Sequence, residues 1–386
     1  MPNKVVLNIV GARPQIIKAS AISRVLRRDY TDQIEELILH TGQHYDRGLS
    51  DVFFEELEIP KPDYNLGVGS ARHGKQTASM ISGIEEVILK EQPDSVIIYG
   101  DTNSTLAASI AASKLRVPVA HVEAGLRSFR KEMPEEINRL LSDHVSTLLF
   151  APTDAALKNL IKEGIRPDAS PPFTIDNPKI FLSGDIMYDN SLFYAELAGK
   201  KLNGFLNALN IEPDGYILAT IHRQRNTDNI ERLNQILETF IEMTVQNDMP
   251  LVLPLHPRTA HVLEKENPDL LTKITGADSL RLIPPVSYLE MIMLEKNASV
   301  ICTDSGGVQK EAHFFRKPCL VLRAETEWTE LVKNGTAILV DADRDKIKEG
   351  FLKMRNSNEL SYPGFYGNGK AAEFMVEEVM AMMLQD

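Results

Sequence analysis

Short apolar runs alternate with amphipathic stretches along nearly the whole chain. In the first half, Lys4 to Val10, Leu37 to Leu39, Ser95 to Tyr99, Val117 to Val122, Leu148 to Ala151 and Ile180 to Ser183 read as buried strands. Between them lie helical patterns. Ala21 with Val25 and Ile22 with Leu26 stack at i, i+4, Gly48 to Glu58 reads as a helix, and Lys75 to Glu91 carries Ile81, Ile84 and Ile88 on one face. Leu106 to Leu115 is an Ala-rich helix, and Thr153 caps another that Gly164 ends. Prolines 167, 171, 172 and 178 then crowd a loop, and Gly199 to Asp214 is polar and broken by Gly204 and Pro213. After this pause the alternation resumes. Strands are predicted over Tyr216 to Ile221, Leu251 to Leu255, Leu280 to Ile283, Val300 to Cys302, Leu320 to Leu322 and Ile338 to Val340, with helices between them.

Repeated strand–helix alternation predicts an α/β protein with two doubly wound domains facing each other across a cleft. The hinge falls between about Gly184 and Asp214. The expected domains are residues 1–184 joined by a returning C-terminal helix of about 371–386, and residues 185–370.

Composition narrows the class without naming a chemistry. A hydrophobic fraction of 43% and a charged fraction of 25% belong to an ordinary globular protein. The net charge of −12 argues against general nucleic-acid binding, while leaving room for one anionic small molecule in a local basic pocket. Cys302 and Cys319 sit in apolar contexts and read as reduced core residues of a cytosolic protein. No run approaches a membrane span, and no Cys/His spacing fits a structural zinc. Neither a Gly-rich lysine loop for triphosphate nor GxGxxG after a strand is present.

Chemistry concentrates in the loops. Gly100 to Arg139 brings Asp101, Glu123, Glu135 and Glu136 to strand ends or helix starts. Ligands of such sheets sit beyond the carboxyl ends of the strands. Burial and mutual repulsion of acids there raise a pKa, as proton transfer at carbon requires. An acid at a helix start is also commonly a cap facing water. Arg13 and Lys18 flank the first helix start, where backbone N–H groups favour anions. The loop His40 to Asp46, which includes His44, reads equally as a binding loop or as a turn held by its own hydrogen bonds. In the second half, Asp304-Ser305-Gly306-Gly307 opens a helix either as a tight strand–helix connection or, as the basic loops elsewhere favour, as a phosphate site suited to a diphosphate, with Glu311 further along to accept from ribose hydroxyls. His222 with Arg223 and Arg225 forms a second cationic loop, and His256-Pro257-Arg258 a weaker one. Trp328, the sole tryptophan, either stacks on a base or sugar or pins a helix to the core. These patterns reach a nucleotide-sugar enzyme, either glycosyltransferase or epimerase, and do not choose between them.

The motifs GARPQIIK, HTGQHYD, GDTNST, HVEAGLRS, PEEINR, HPRT and TDSGGVQKEA, with the HR…N of Ile221 to Asn226, resemble the non-hydrolysing UDP-N-acetylglucosamine 2-epimerase family from Lys4 to about Leu339. The resemblance implies the two-Rossmann-domain architecture of B-type glycosyltransferases, a cytoplasmic homodimer acting on a UDP-sugar, and no metal or nicotinamide cofactor. It implies that the C2 proton leaves as UDP departs C1 in an anti elimination, and that UDP adds back to the glycal with protonation of the other face. By motif match, Asp101, Glu123 and Glu135 are the acid/base set and His222 eases departure of UDP. Arg13, Lys18, His44, Arg223, Asn226, Ser305, Gly306, Gly307 and Glu311 are the implied substrate contacts, with Gln43 and His44 in a loop that binds a second, activating substrate in some members. Gln15, Lys310 and Trp328 depart from the familiar GTRPE, QEEA and TERPE. That combination looks more like the subgroup acting on UDP-2,3-diacetamido-2,3-dideoxyglucuronate, used for O-antigen or capsule sugars.

Overall fold

The computed structural model describes residues 4–42, 54, 56–255, 257–357 and 360–384. Two all-parallel sheets organise the chain. The first contains β1 (Lys4–Val10), β2 (Ile34–His40), β3 (Tyr64–Asn65), β4 (Ser95–Tyr99), β5 (Val119–Val122), β6 (Leu148–Ala151) and β7 (Lys179–Leu182), in the order β3-β2-β1-β4-β5-β6-β7. The second contains β8 (Ile217–Thr220), β9 (Leu251–Pro254), β10 (Leu280–Ile283), β11 (Val300–Thr303), β12 (Cys319–Val321) and β13 (Ala337–Leu339), in the order β10-β9-β8-β11-β12-β13. Apart from the β2–β3 connection, which lies largely outside the described residues, helices connect successive strands in both, so each sheet is a Rossmann-like doubly wound unit. The apolar runs of the sequence are continuous because parallel strands are covered on both faces. All of β4, β5, β6, β8, β9 and β11 is buried.

One polar interruption is explained by its partners. Asn8, in the middle of β1, accepts from the Tyr99 hydroxyl at 2.6 Å and donates to Glu36 at 2.6 Å. A buried amide whose groups are all bonded avoids the cost of an orphaned polar group.

The chain divides into one compact unit of residues 1–190 and 364–386 and a second of residues 191–363. A helix unmarked in the apolar pattern, Ile186–Lys201, runs through the point of division. The last helix, Ala371–Met383, packs within the first unit. Its start is held by Asp189, whose carboxylate accepts from Ala372 N–H at 2.8 Å. Glu373 pairs with Arg28 at 2.7 Å, and the Phe374 ring meets Phe181 edge-on with centroids 5.5 Å apart. Among the described residues, no helix is long and apolar enough to cross a membrane.

Each sheet has one point where the strand order reverses, between β1 and β4 in the first and between β8 and β11 in the second. The loops leaving those strands are Gly11–Arg13, Gly100–Thr102, Ile221–Arg223 and Asp304–Ser305. Ligand sites of open α/β sheets lie at such points.

Candidate active site and nucleotide site

In the first unit the carboxylates stand at the ends of neighbouring strands. Gly100, with φ of 62°, turns the chain away from β4 into Asp101. Thr102 then caps the helix Asn103–Lys114 by accepting from the N–H groups of Ser104 and Thr105. Glu123 follows β5 with φ of 73°. That left-handed conformation is unusual for a residue with a side chain, and such outliers cluster at functional sites. The Lys18 ammonium forms an ion pair with the Glu123 carboxylate and sits near Gly100, whose Cβ would lie 3.5 Å from Lys18 Nζ. Burial pushes the Asp101 carboxyl above its ordinary range. Arg139 opposes the shift and the Glu123 charge adds to it.

Arg139, which the sequence did not single out, lies 2.5 Å from Asp101 and 2.9 Å from Glu136. Glu136 is only 1% exposed and accepts from Ser128 N–H, Ser128 hydroxyl and Phe129 N–H, each at 2.9 Å. Burial alone would raise its pKa, but these donors with Arg139 outweigh burial and hold it low. Glu136 is therefore an ionised anchor for the loop after Leu126. Glu135 is exposed in the first turn of the helix Pro134–His144, one position after Pro134, which suits a first helical position. No hydrogen bond joins it to the other acids among the described residues.

The turn carrying Asp101 is braced from behind. His121, inside β5, donates from Nε2 to the Gly100 carbonyl at 2.8 Å, and its Nδ1 lies 2.7 Å from Asp143. Asp143 also accepts from Gly125 N–H at 3.1 Å and pairs with Arg127 at 2.7 Å. Burial opposes ionisation of Asp143, yet His121 and Arg127 keep its pKa low. Asn138 donates to the Asp101 carbonyl at 2.9 Å. None of these residues has a sequence signal apart from the motif it stands in, because each acts through tertiary geometry.

Gln15 joins the two loops at this switch point. Its side-chain oxygen accepts from Gly11 N–H at 2.9 Å and Ala12 N–H at 3.1 Å, and its amide donates to the Tyr99 carbonyl at 2.7 Å and Thr105 Oγ1 at 2.9 Å. All its polar groups are used inside the protein, so Gln15 sets the spacing between the loops that end in Arg13 and Asp101. Arg13 itself is exposed at the start of the helix Arg13–Asp29.

In the second unit, Asp304 is fully buried and collects the β8 loop. It accepts from His222 N–H at 3.1 Å, Arg223 N–H at 3.0 Å and Asn226 Nδ2 at 3.0 Å, and lies 3.0 Å from His222 Nδ1. Burial works against its charge, but His222, Arg223 and Asn226 prevail and the pKa is low. The arrangement orients the His222 ring with Nδ1 inward and leaves Nε2 as the outer nitrogen. Asn226, expected to touch substrate, is 1% exposed. Its amide also donates to the Leu322 carbonyl at 3.0 Å and its oxygen accepts from Arg232 at 3.0 Å. The structure therefore places Asn226 as a support for Asp304 rather than at the surface of the site.

Ser305 caps the helix Gly306–Phe314, accepting from Val308 N–H at 3.4 Å. A Cβ on Gly306 would stand 3.7 Å from an Arg223 guanidinium nitrogen, which brings the two cationic and Gly-rich loops together. A Cβ on Gly307 would stand 3.8 Å from Glu311 Oε2, so Glu311 faces the same turn. First-turn N–H groups of a helix beside an arginine suit an anion. Trp328 is 8% exposed and hydrogen-bonds inward, so it is packed in the domain. His44 and His256 lie outside the described residues, as does the side chain of Arg258.

The sequence profile of the UDP-N-acetylglucosamine 2-epimerase family matches residues 27–380. The chain belongs to this family. It is 50% identical to a UDP-N-acetylglucosamine 2-epimerase homolog of Methanococcus maripaludis over 372 residues, covering 96% of this chain and 98% of that one. It is 47% identical, with the same coverages, to the UDP-2,3-diacetamido-2,3-dideoxy-D-glucuronate 2-epimerase of Pseudomonas aeruginosa. Among solved structures it resembles the Methanocaldococcus jannaschii UDP-GlcNAc 2-epimerase crystallised with UDP-GlcNAc and UDP. The TM-score is 0.81 at 44% identity, over 98% of this chain and 99% of that one. The pairing of two Rossmann-like units and the epimerase motif set thus come from one family.

Proposed function

We propose that this chain is a UDP-sugar 2-epimerase, an isomerase that inverts C2 of UDP-N-acetylglucosamine or of its 2,3-diacetamido-uronate relative. The observation that carries the reading is the pair Asp101 and Glu123. They stand at adjacent strand ends, one buried with a raised pKa and the other paired with Lys18.

Inversion at C2 needs a proton removed from one face and another delivered to the opposite face, so two groups must exchange protons with one carbon. In the forward half, a carboxylate takes the C2 proton, the C2–H electron pair becomes the C1–C2 double bond, and the C1–O bond breaks to release UDP. In the return half, an acid protonates the other face of the glycal and a UDP oxygen re-forms the C1–O bond. Electrons balance within the sugar, and no redox partner is consumed. Asp101 and Glu123 are assigned to these transfers, with the exposed Glu135 as the third proton-handling group. His222, oriented by Asp304, eases departure of the diphosphate. Arg13, Arg223, Ser305, Gly306 and Gly307 hold phosphate oxygens, and Glu311 accepts from the ribose. Lys18 pairs with Glu123.

The uronate substrate is favoured by the departures at Gln15, Lys310 and Trp328, and by the similarity to the Pseudomonas aeruginosa enzyme. We also read the enzyme as a cytoplasmic homodimer making precursors of cell-surface polysaccharide, which sedimentation of the purified protein tests for assembly. The test of function is incubation of each UDP-sugar in D2O. Deuterium at C2 of both epimers of one substrate is expected. Absence of exchange with either sinks the epimerase reading, and sugar transfer to an acceptor without C2 exchange points to a glycosyltransferase instead.

A further inference from the structure

The turn Ser305–Gly307 contains two consecutive glycines, whose backbones are the least restricted of any residue. They open the helix Gly306–Phe314, whose first hydrogen bonds already orient them, and further donors to their carbonyls tighten that orientation for an anion. The peptide unit is planar, so fixing a carbonyl also fixes the N–H of the next residue. Two side chains fix these carbonyls. Trp328 Nε1–H donates to the Gly306 carbonyl at 2.8 Å, which sets the direction of Gly307 N–H. Gln309 Nε2–H donates to the Ser305 carbonyl at 3.0 Å, which sets Gly306 N–H.

The two donors are tied to each other. The Thr326 hydroxyl donates to Gln309 Oε1 at 2.6 Å and accepts from Trp328 N–H at 3.2 Å. On the other side the Lys310 ammonium lies 4.5 Å from the centre of the Trp328 ring, a cation–π contact between side chains only 5% and 8% exposed. The sequence departures at Lys310 and Trp328 are therefore one physical unit.

We propose that Trp328 and Gln309, braced by Lys310 and Thr326, are positioning residues that preset the two glycine N–H groups for the diphosphate of the UDP-sugar. This rests on the reading of the Ser305–Gly307 turn as the diphosphate site. It assigns Trp328 no contact with the nucleotide; it acts through Gly306.

The test is calorimetric titration with UDP together with steady-state kinetics on the full chain. Trp328→Phe keeps a ring under Lys310 and loses the N–H donor. Its Kd for UDP and its KM are expected to rise about five- to tenfold, the effect of one lost hydrogen bond, with kcat within about twofold. Gln309→Ala is expected to do the same. Leu331→Ala, at a buried position of the neighbouring helix, is the control for simple loss of packing: it lowers Tm and leaves the UDP Kd unchanged. A folded Trp328→Phe with wild-type UDP affinity overturns the proposal, and so does an equal loss of affinity in Leu331→Ala. Should Trp328→Phe fail to fold, Gln309→Ala with unchanged affinity overturns it alone. Failure of the wild-type protein to bind UDP overturns the site reading, a different result from wild-type binding that Trp328→Phe does not alter.

Discussion

The Arg139 guanidinium lies 2.5 Å from the carboxylate of Asp101 and is held in place on its other side by Glu136. Glu136 is in turn fixed by the backbone of Ser128 and Phe129. The charge that steadies Asp101 is therefore fastened to the loop after β5, not to its own strand.

This relationship sets a pH dependence. Burial raises the pKa of Asp101 and Arg139 restrains the rise. Arg139→Gln removes the restraint, so the ionised carboxylate becomes harder to form. If Asp101 acts as a base, the acid limb of kcat/KM against pH moves upward. An unmoved limb in an active Arg139→Gln protein would show that Asp101 is not the group that titrates.

Proton transfer and nucleotide binding should separate by mutation. Asp101→Asn and Glu123→Gln are expected to lower kcat by about 10²- to 10⁴-fold, with UDP affinity within about threefold of wild type. Ser305→Ala and Arg13→Ala are expected to weaken UDP binding by about tenfold. Calorimetry with UDP alone distinguishes the two groups, and unchanged affinity in both Ser305→Ala and Arg13→Ala would refute the assigned cradle.

Gly11 is required by space. A Cβ there would stand 2.0 Å from Ser104 Oγ and 2.3 Å from Thr41 Oγ1, two hydroxyls that bond to each other at 2.8 Å. Gly11→Ala must push the first turn off the helix Asn103–Lys114. Urea unfolding should show a loss of about 1–3 kcal/mol, and a stability equal to wild type would mean that the turn adapts at no cost.

Asp189 gives stability a pH window. Burial raises its pKa from 3.8 to about 6, against the hydrogen bonds from the start of the last helix. A carboxyl with a raised folded pKa contributes fully below its ordinary pKa, and the contribution is lost as pH climbs through about 6. Asparagine stays neutral and can still accept from Ala372 N–H. Asp189→Asn should match wild type at pH 4 and exceed it by about 2 kcal/mol at pH 7.5. Thermal unfolding at both pH values tests the sign; a variant less stable at the higher pH would reverse it.

The strands were legible because parallel strands are covered on both faces and read as unbroken apolar runs. Predicted Leu280 to Ile283 coincides with β10, and Val117 to Val122 begins only two residues before β5. The two-residue β3 left no run to see. The helix Ile186–Lys201 was hidden because it shows no single apolar face. Arg344–Arg355 was missed although Asp343 caps it. In the site, Asp101 and Glu123 could be placed from strand ends. The work of Arg139, His121, Asp143 and Asp304 could not, since it depends on partners that are distant in sequence. Asn226 illustrates the converse: a motif position whose side chain turns inward to Asp304.

The last helix belongs to the unit that begins the chain, and Asp189, Arg28 and Phe181 all wait for it. During synthesis the first unit is exposed long before that helix is made, for tens of seconds at ordinary elongation rates. The second unit, residues 191–363, is contiguous and complete before the first one is. The order of emergence from the ribosome is therefore the reverse of the order in which the two units can be finished. A stop codon placed shortly before residue 371 would strand the unit carrying Asp101 while sparing the one carrying Ser305.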